Sequence, residues 1–347
     1  MKNSKLRCFG GMLLIMVIFS APLFAGGNKE APAEGTKKLV FKLSHVFLPE
    51  QPLHIAIQRA ADNINRRTNG RIEIQIFPDG QIASGVDGVE QVVQNSYFIN
   101  VYDSSCVANW VPDLAGLVGP MLYQSGPEYS AVCQSDLAQS LCLEAENQGI
   151  KILALDYNFG MRGVLSTRRK GKVQTLAELQ GAKIRMPNTS FWIETMNSFG
   201  AAAVGMPWAE VYNAMQAGVV DGLVTTLSDV YDNSMWEVGA YFTKNSLYIG
   251  TGAVMLSRKI WETELTEEER RIFQEEFTAG ALYNNNMVYE LEARVEAEMA
   301  QKGLQFLEGV ELDQYQQRAK KWFDDNKSLS PGFYDRLTAE IRKVRGN

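Results

Sequence analysis

Histidine and cysteine are scarce in this chain, and their scarcity removes most catalytic chemistry. The 347 residues include two histidines and four cysteines. His45 and His54 show neither a His-Glu-x-x-His motif nor a Cys–His spacing, so no metal site is expected. The glycines of Gly85-Val-Asp-Gly88 and Gly116-Leu-Val-Gly119 have the spacing of neither a phosphate-cradling loop nor a dinucleotide fingerprint. A Gly-x-Ser-x-Gly nucleophile elbow is missing as well. Carboxylates are plentiful, yet no pair is singled out by spacing. No cofactor is expected, and the chain reads as a binder rather than an enzyme.

Long apolar runs are also lacking beyond the first residues, which excludes a membrane-spanning helix there. The N-terminus is different. Lys2, Lys5 and Arg7 precede an uncharged stretch from Phe9 to Phe24, and Leu23-Phe-Ala25 leads into Gly26-Gly27. That is a cleavable secretory signal over residues 1–25, with a flexible tether over 26–38. No cysteine follows the small residues, so the lipid-attachment pattern is absent. Cleavage removes three basic side chains and no acidic ones, leaving a mature chain more acidic than the whole-chain net charge of −6. Nucleic acid is thereby a poor partner, whereas a buried local charge can still favour an anionic ligand. Cys106, Cys133 and Cys142 remain, too few and too odd in number for a disulfide scaffold. A Cys133–Cys142 bridge is disfavoured because both fall in one helical stretch.

What is present is an alternation of strand and helix signals. Leu39 to Leu43 reads as a strand and Pro52 to Thr68 as a helix with Leu53, Ile57, Ala60, Ala61 and Ile64 on one face. Arg71–Phe77, a helix over Val86–Gln94 and a strand at Phe98–Val101 complete a βαβαβ opening, hence a parallel sheet with covering helices. A second α/β unit follows. Ile152–Asp156, Gly163–Thr167, Lys183–Met186 and Ala202–Gly205 read as strands, separated by helices that begin at the Thr175/Glu178 capping box and at Ser190. A second capping box, Thr266-Glu-Glu-Glu269, opens a helix that runs to Gln301, roughly 54 Å and long enough to cross two small domains.

The most specific stretch runs from Gly181 to Gly222. It contains Gly181-Ala-Lys-Ile-Arg-Met-Pro187, then Phe199-Gly-Ala-Ala-Ala-Val-Gly-Met-Pro-Trp-Ala-Glu-Val-Tyr-Asn-Ala-Met-Gln-Ala-Gly-Val-Val-Asp-Gly222. This closely resembles the DctP-type receptors of the TRAP (tripartite ATP-independent periplasmic) transporters, and the likeness extends over nearly the whole mature chain. The resemblance implies an α/β fold of the two-lobed periplasmic binding protein type, with hinge strands and a long helix spanning both lobes. Lobe I would comprise 39–158 plus about 247–285, and lobe II 159–246 plus about 286–347. It implies a monomeric periplasmic receptor that binds a small carboxylate and delivers it to small and large membrane permease subunits. A secreted receptor for chemosensing and a secreted α/β enzyme acting on an organic acid are the alternatives.

By resemblance Arg185 is the carboxylate-binding arginine, and its chemistry fits. It ends a strand just before Pro187, and a guanidinium offers two parallel N–H groups without losing its charge. The alternative is a structural pairing with an acid such as Glu210. Arg162 stands where many relatives carry a second arginine, with a hinge or surface ion pair as its other reading. His45, Glu50 and Gln51, and Asp103 and Ser104, lie in first-lobe loops where the family gathers ligand contacts. Phe159 and Trp192 flank the arginines and would admit an apolar or aromatic monocarboxylate. Trp208 is read as core. Thr225 replaces an asparagine that can touch the ligand in relatives, which points to a ligand smaller or less polar than a sialic acid.

Overall fold

The computed structural model describes residues 37–346; the expected signal peptide and most of the expected tether lie outside them. Among the described residues, one mixed sheet contains β1 (Leu39–Ser44), β2 (Ile72–Phe77), β3 (Phe98–Tyr102), β4 (Ile150–Ser166), β5 (Lys183–Met186), β6 (Ala202–Gly205), β7 (Gly222–Thr226), β8 (Tyr241–Ser257) and β9 (Gln305–Glu308). Their order is β2-β1-β3-β8-β4-β7-β5-β6, with β9 also paired to β8. At one end β1, β2 and β3 are parallel, and at the other β5, β6 and β7 are parallel. β4 and β8 belong to both ends. β3 pairs with Ala253–Leu256 of β8, whereas β7 pairs with Arg162–Ser166 of β4. Two lobes therefore share two crossing strands.

The sequence separates Ile152–Asp156 from Gly163–Thr167, yet β4 is one strand of 17 residues. Its alternation fails in the middle because residues 157–160 are all buried, so the period-two signal breaks there. The ladder with β8 shifts register at four places between Ile152 and Val164, and each shift frees backbone groups that need partners. The long helix Glu267–Gln301 supplies several. Asn284 Nδ2 donates to the Asn158 carbonyl at 2.6 Å, Asn285 Oδ1 accepts from the Asn158 N–H at 3.0 Å, and Asn285 Nδ2 donates to the Asp156 carbonyl at 2.9 Å. Tyr157 OH in turn donates to the Phe277 carbonyl at 2.7 Å.

Apolar periodicity places the rest. Helix Pro52–Arg67 buries Leu53, Ala56, Ile57, Ala60, Ala61 and Ile64 against the first lobe's sheet. Both expected capping boxes form, at Thr175/Glu178 and Thr266/Glu269. The C-terminal helices depart from the expected division. Helix Leu312–Asp325 lies on the second lobe's helix Ser190–Ser198, but helix Phe333–Arg345 packs on first-lobe helices. Arg345 holds Glu128 and the carbonyl of Leu122, and Ser330 holds Asp113. Cys133 and Cys142 fall in two helices, Gly126–Cys133 and Asp136–Asn147, rather than one, and both thiols are free.

Gly160 marks the crossover. Its φ of 105° lies in a region that side chains rarely adopt, and a Cβ there would collide with the Glu292 carboxylate. Gly160→Ala is therefore expected to lower stability by about 2–3 kcal/mol. Urea unfolding of both proteins measures this, and an unchanged midpoint would refute the constraint.

Candidate ligand-binding site

In open α/β sheets the carboxyl ends of parallel strands are where ligands bind, and here two such sets face each other across the crossing strands. Between them lies a cavity of about 50 Å³. Val46, Phe47, Gln51, Tyr102 and Asp103 line it from the first lobe. Arg162, Arg185, Pro187, Trp208 and Asp229 line it from the second, and Phe159 and Thr251 lie on the crossing strands. That space accommodates roughly four waters, the scale of an acid head group. An outer chamber of about 320 Å³ shares Val46, Tyr102, Arg185 and Trp208 with it and adds Ser84–Asp87, Asn188 and Thr189. A larger groove of about 650 Å³ lies elsewhere, between helices Gly126–Cys133 and Asp136–Asn147 and the long helix. Neither cavity arginine lines that groove, so size alone does not mark the site.

Each arginine is held from behind. Arg185, fixed on β5 between β6 and β7, donates from Nε and one Nη to the Met206 carbonyl at 3.0 and 2.7 Å, with the Trp208 ring 5.4 Å from Cζ. Arg162 on β4 has the rings of Phe159 and Trp192 each 5.1 Å from Cζ. Such faces stabilise a cation without neutralising it. Arg162 and Arg185 are 7 % and 3 % exposed. Among the described residues neither forms an ion pair, with Glu210 or any other acid, and Arg162 Nε has no hydrogen-bond partner. Burial, the largest cause, and the like charge of Arg162 push the Arg185 guanidinium down to about 10, which still leaves it charged at neutral pH.

Two carboxylates share the cavity. Burial raises Asp103 and Asp229 above the usual range, and the nearby charge of Arg162 opposes the rise in both. Asp103 accepts from the Ser105 N–H at 2.9 Å, while its Oδ2 has no partner. Gln51 ties the lobes together: Nε2 donates to Asp232 Oδ2 at 3.3 Å, and Oε1 accepts from the Leu48 N–H at 2.7 Å.

The residues singled out from sequence thus separate into two groups. Arg185, Arg162, Phe159, Gln51 and Asp103 come together on the cavity wall. Thr225, Trp192, His45, Ser104 and Glu50 are not on it. Thr225 is fully buried and donates to Asp229 Oδ2 at 3.2 Å; Ser104 donates to the Leu114 carbonyl at 3.1 Å. Trp192 lies beneath Arg162 and edge-on to Tyr248. His45 accepts from the Phe47 N–H at 3.2 Å and faces His54 at 3.1 Å, and burial lowers it to about 3, so it is neutral and shapes the loop. Glu50 is exposed. Sequence reasoning missed Tyr102, Asp229 and Trp208. The first directly precedes Asp103 at a strand end, and the last directly follows Pro207, so strand-end position was the available signal for both.

A two-lobed α/β frame closing on a buried cationic cavity defines a solute-binding protein. The profile of the bacterial extracellular solute-binding proteins, family 7 (DctP), matches residues 43–328, and the chain belongs to that family. It is similar to a TRAP periplasmic solute binding protein of Desulfovibrio salexigens solved with diglycerolphosphate. That pair shares 36 % identity and a TM-score of 0.85, covering 89 % of this chain and 98 % of the other. A Fusobacterium nucleatum counterpart solved with sn-glycerol-3-phosphate is 31 % identical, with TM-score 0.84 and coverage of 88 % and 98 %. The C4-dicarboxylate-binding protein DctB of Bacillus subtilis is 24 % identical over 99 % of both chains. The family is periplasmic, and its members are transport receptors that work with membrane permease subunits. Among the described residues no helix is long and apolar enough to cross a membrane.

One titrating group sits behind the cavity. Burial, then the like charge of Asp229, raises Glu292 from 4.5 to about 7. The folded chain then holds this proton more tightly than the unfolded chain, so stability falls as pH rises from 4.5 through 7. Glu292→Gln is expected to remove that fall, a difference of at most roughly 3 kcal/mol. Urea unfolding of both proteins at pH 4.5 and 7.5 checks it; parallel pH dependence in the two would count against it.

Proposed function

We propose that this receptor captures a small organic acid whose anionic head enters the inner cavity between Arg162 and Arg185, and that the acid is a phosphate ester. The observation that carries the reading is two buried guanidiniums without an ion-pair partner. A buried cation of this kind is costly unless an anion meets it. A phosphate ester supplies more acceptor oxygens to two guanidiniums than a carboxylate does. The molecules bound to the Desulfovibrio and Fusobacterium proteins, diglycerolphosphate and sn-glycerol-3-phosphate, both carry a phosphate and support this choice. A carboxylate is the second reading, supported by the name of the Bacillus relative. The ring-stacking role expected of Phe159 and Trp192 is weakened, because both rings lie against Arg162.

A ligand bound only by the folded state raises the melting temperature. With sn-glycerol 3-phosphate we expect a clear upward shift, and a smaller one with gluconate. Arg185→Ala should weaken the binding ~10- to ~150-fold, the equivalent of losing about 1.5–3 kcal/mol of charged hydrogen bonding. Calorimetric titration decides the matter: affinity unchanged within about twofold would sink the clamp.

A further inference from the structure

Asp229 has no evident task in holding an anion, yet it lines the inner cavity beside both arginines. It and Asp103 are at most 7 % exposed. Asp103 and Asp229 stand beside the arginines that meet the anion, so their acceptor oxygens need partners other than the anionic head. An ionised carboxylate has about four acceptor positions. Asp229 receives the Thr225 hydroxyl and adjoins the Thr226 hydroxyl and N–H, whereas Asp103 Oδ2 receives nothing. If an apolar ligand sealed the cavity, these acceptors would stay unmet, which is expensive in a buried site. Water supplies those donors while the cavity is empty, and a ligand that displaces the water has to replace them. Arg162 and Arg185 already supply positive charge beside these carboxylates without an ion pair to either, so neutral donors fit better than a third cation.

The placement of Asp229 is built rather than incidental. Its N–H donates to Thr226 Oγ1 at 3.2 Å, starting helix Leu227–Asp232, while Thr225 Oγ1 fixes the carboxylate. Thr225 stands where the resemblance expects a ligand-touching asparagine. Here it is not on the cavity wall, and its hydroxyl is given to Asp229.

We infer that Asp229, oriented by Thr225 and assisted by Asp103, is a specificity-determining residue that accepts ligand hydroxyl hydrogens and restricts the receptor to hydroxylated acids. This rests on the acid-receptor reading above. The outer chamber, bordered by Ser84, Asp87, Asn188 and Thr189, gives the remaining hydroxylated carbons a polar setting.

The test measures calorimetric affinities of the full mature chain for two matched pairs: sn-glycerol 3-phosphate against n-propyl phosphate, and gluconate against hexanoate. In the pair whose head group binds, the hydroxylated member should bind at least ~100-fold more tightly, because a site built for hydroxyls rejects analogues lacking them. Asp229→Ala should cut that ratio by about tenfold or more, whereas purely structural damage would weaken both members alike. Thr225→Val should lower the ratio less, and Thr225→Ser should keep it. Should Asp229→Ala fail to fold, the wild-type ratio and the Thr225 variants decide. A wild-type ratio within about threefold, or a ratio untouched by Asp229→Ala, overturns this inference alone. Tighter binding of O-phosphoethanolamine than of sn-glycerol 3-phosphate overturns the hydroxyl assignment in favour of an ammonium. Binding of none of these probes overturns the acid-receptor reading and this inference with it.

Discussion

Burying two guanidiniums without bonding either to a carboxylate is the constraint around which this molecule is arranged. Each cation loses water when the lobes meet, and an isolated buried charge is strongly disfavoured. The chain offsets this with polarisable and dipolar neighbours: the Met206 carbonyl and Trp208 for Arg185, and Phe159 and Trp192 for Arg162. Asp103 and Asp229 add negative charge from farther away. Arg162 Nε is left without a partner. The arrangement is stable enough to fold and incomplete enough to favour an anion.

Such a cavity needs walls from both lobes, and the sheet explains how they are registered. β4 carries Arg162 as it enters the second lobe, while β8 returns to the first beside β3, which ends at Tyr102 and Asp103. A regular ladder would be stiff, but this one is interrupted at four places near the crossing. Asn284 and Asn285 of the long helix meet the freed backbone groups, and Tyr157 OH ties the strand to that helix at the Phe277 carbonyl. Irregular strands thus persist in a buried region because their polar groups are bonded elsewhere. The Gln51–Asp232 bond adds a direct tie between the lobes, made by side chains that adjoin the cavity.

The fold was legible wherever periodicity was clean. Strand β1, helix Pro52–Arg67, the two capping boxes and the end of the long helix all follow from local pattern. It was obscured where burial is two-sided, as at residues 157–160, since a strand buried on both faces has no alternation to read. Among site residues, strand-end position and charge exposed Arg185, and motif position exposed Arg162. Asp229 was invisible because it follows Thr226 within a new helix turn, where an acid reads as a helix-start residue. Trp192 was misplaced for another reason. Sequence proximity to an arginine does not say which face of the guanidinium a ring occupies, and here it lies on the side away from the cavity wall.

The overall charge of the chain would seem to oppose its proposed ligand, with a net −6 over the full sequence and less after cleavage of the expected signal. Distance and dielectric resolve the conflict. Charges on the surface act through salt water, where screening reduces them within about 8 Å. Arg162 and Arg185 act inside a cavity from which most water is excluded, where the same unit charge is felt several times more strongly. An anion that reaches the cleft mouth therefore responds to two nearby cations more than to a diffuse acidic surface. The acidic surface then weakens retention of anions outside the cleft, so capture depends on the cavity alone. A ligand that lacks hydroxyls would meet the same two cations but leave Asp103 and Asp229 short of donors. Attraction to the arginines is thus common to all small acids, and discrimination among them falls to the carboxylates beside those arginines.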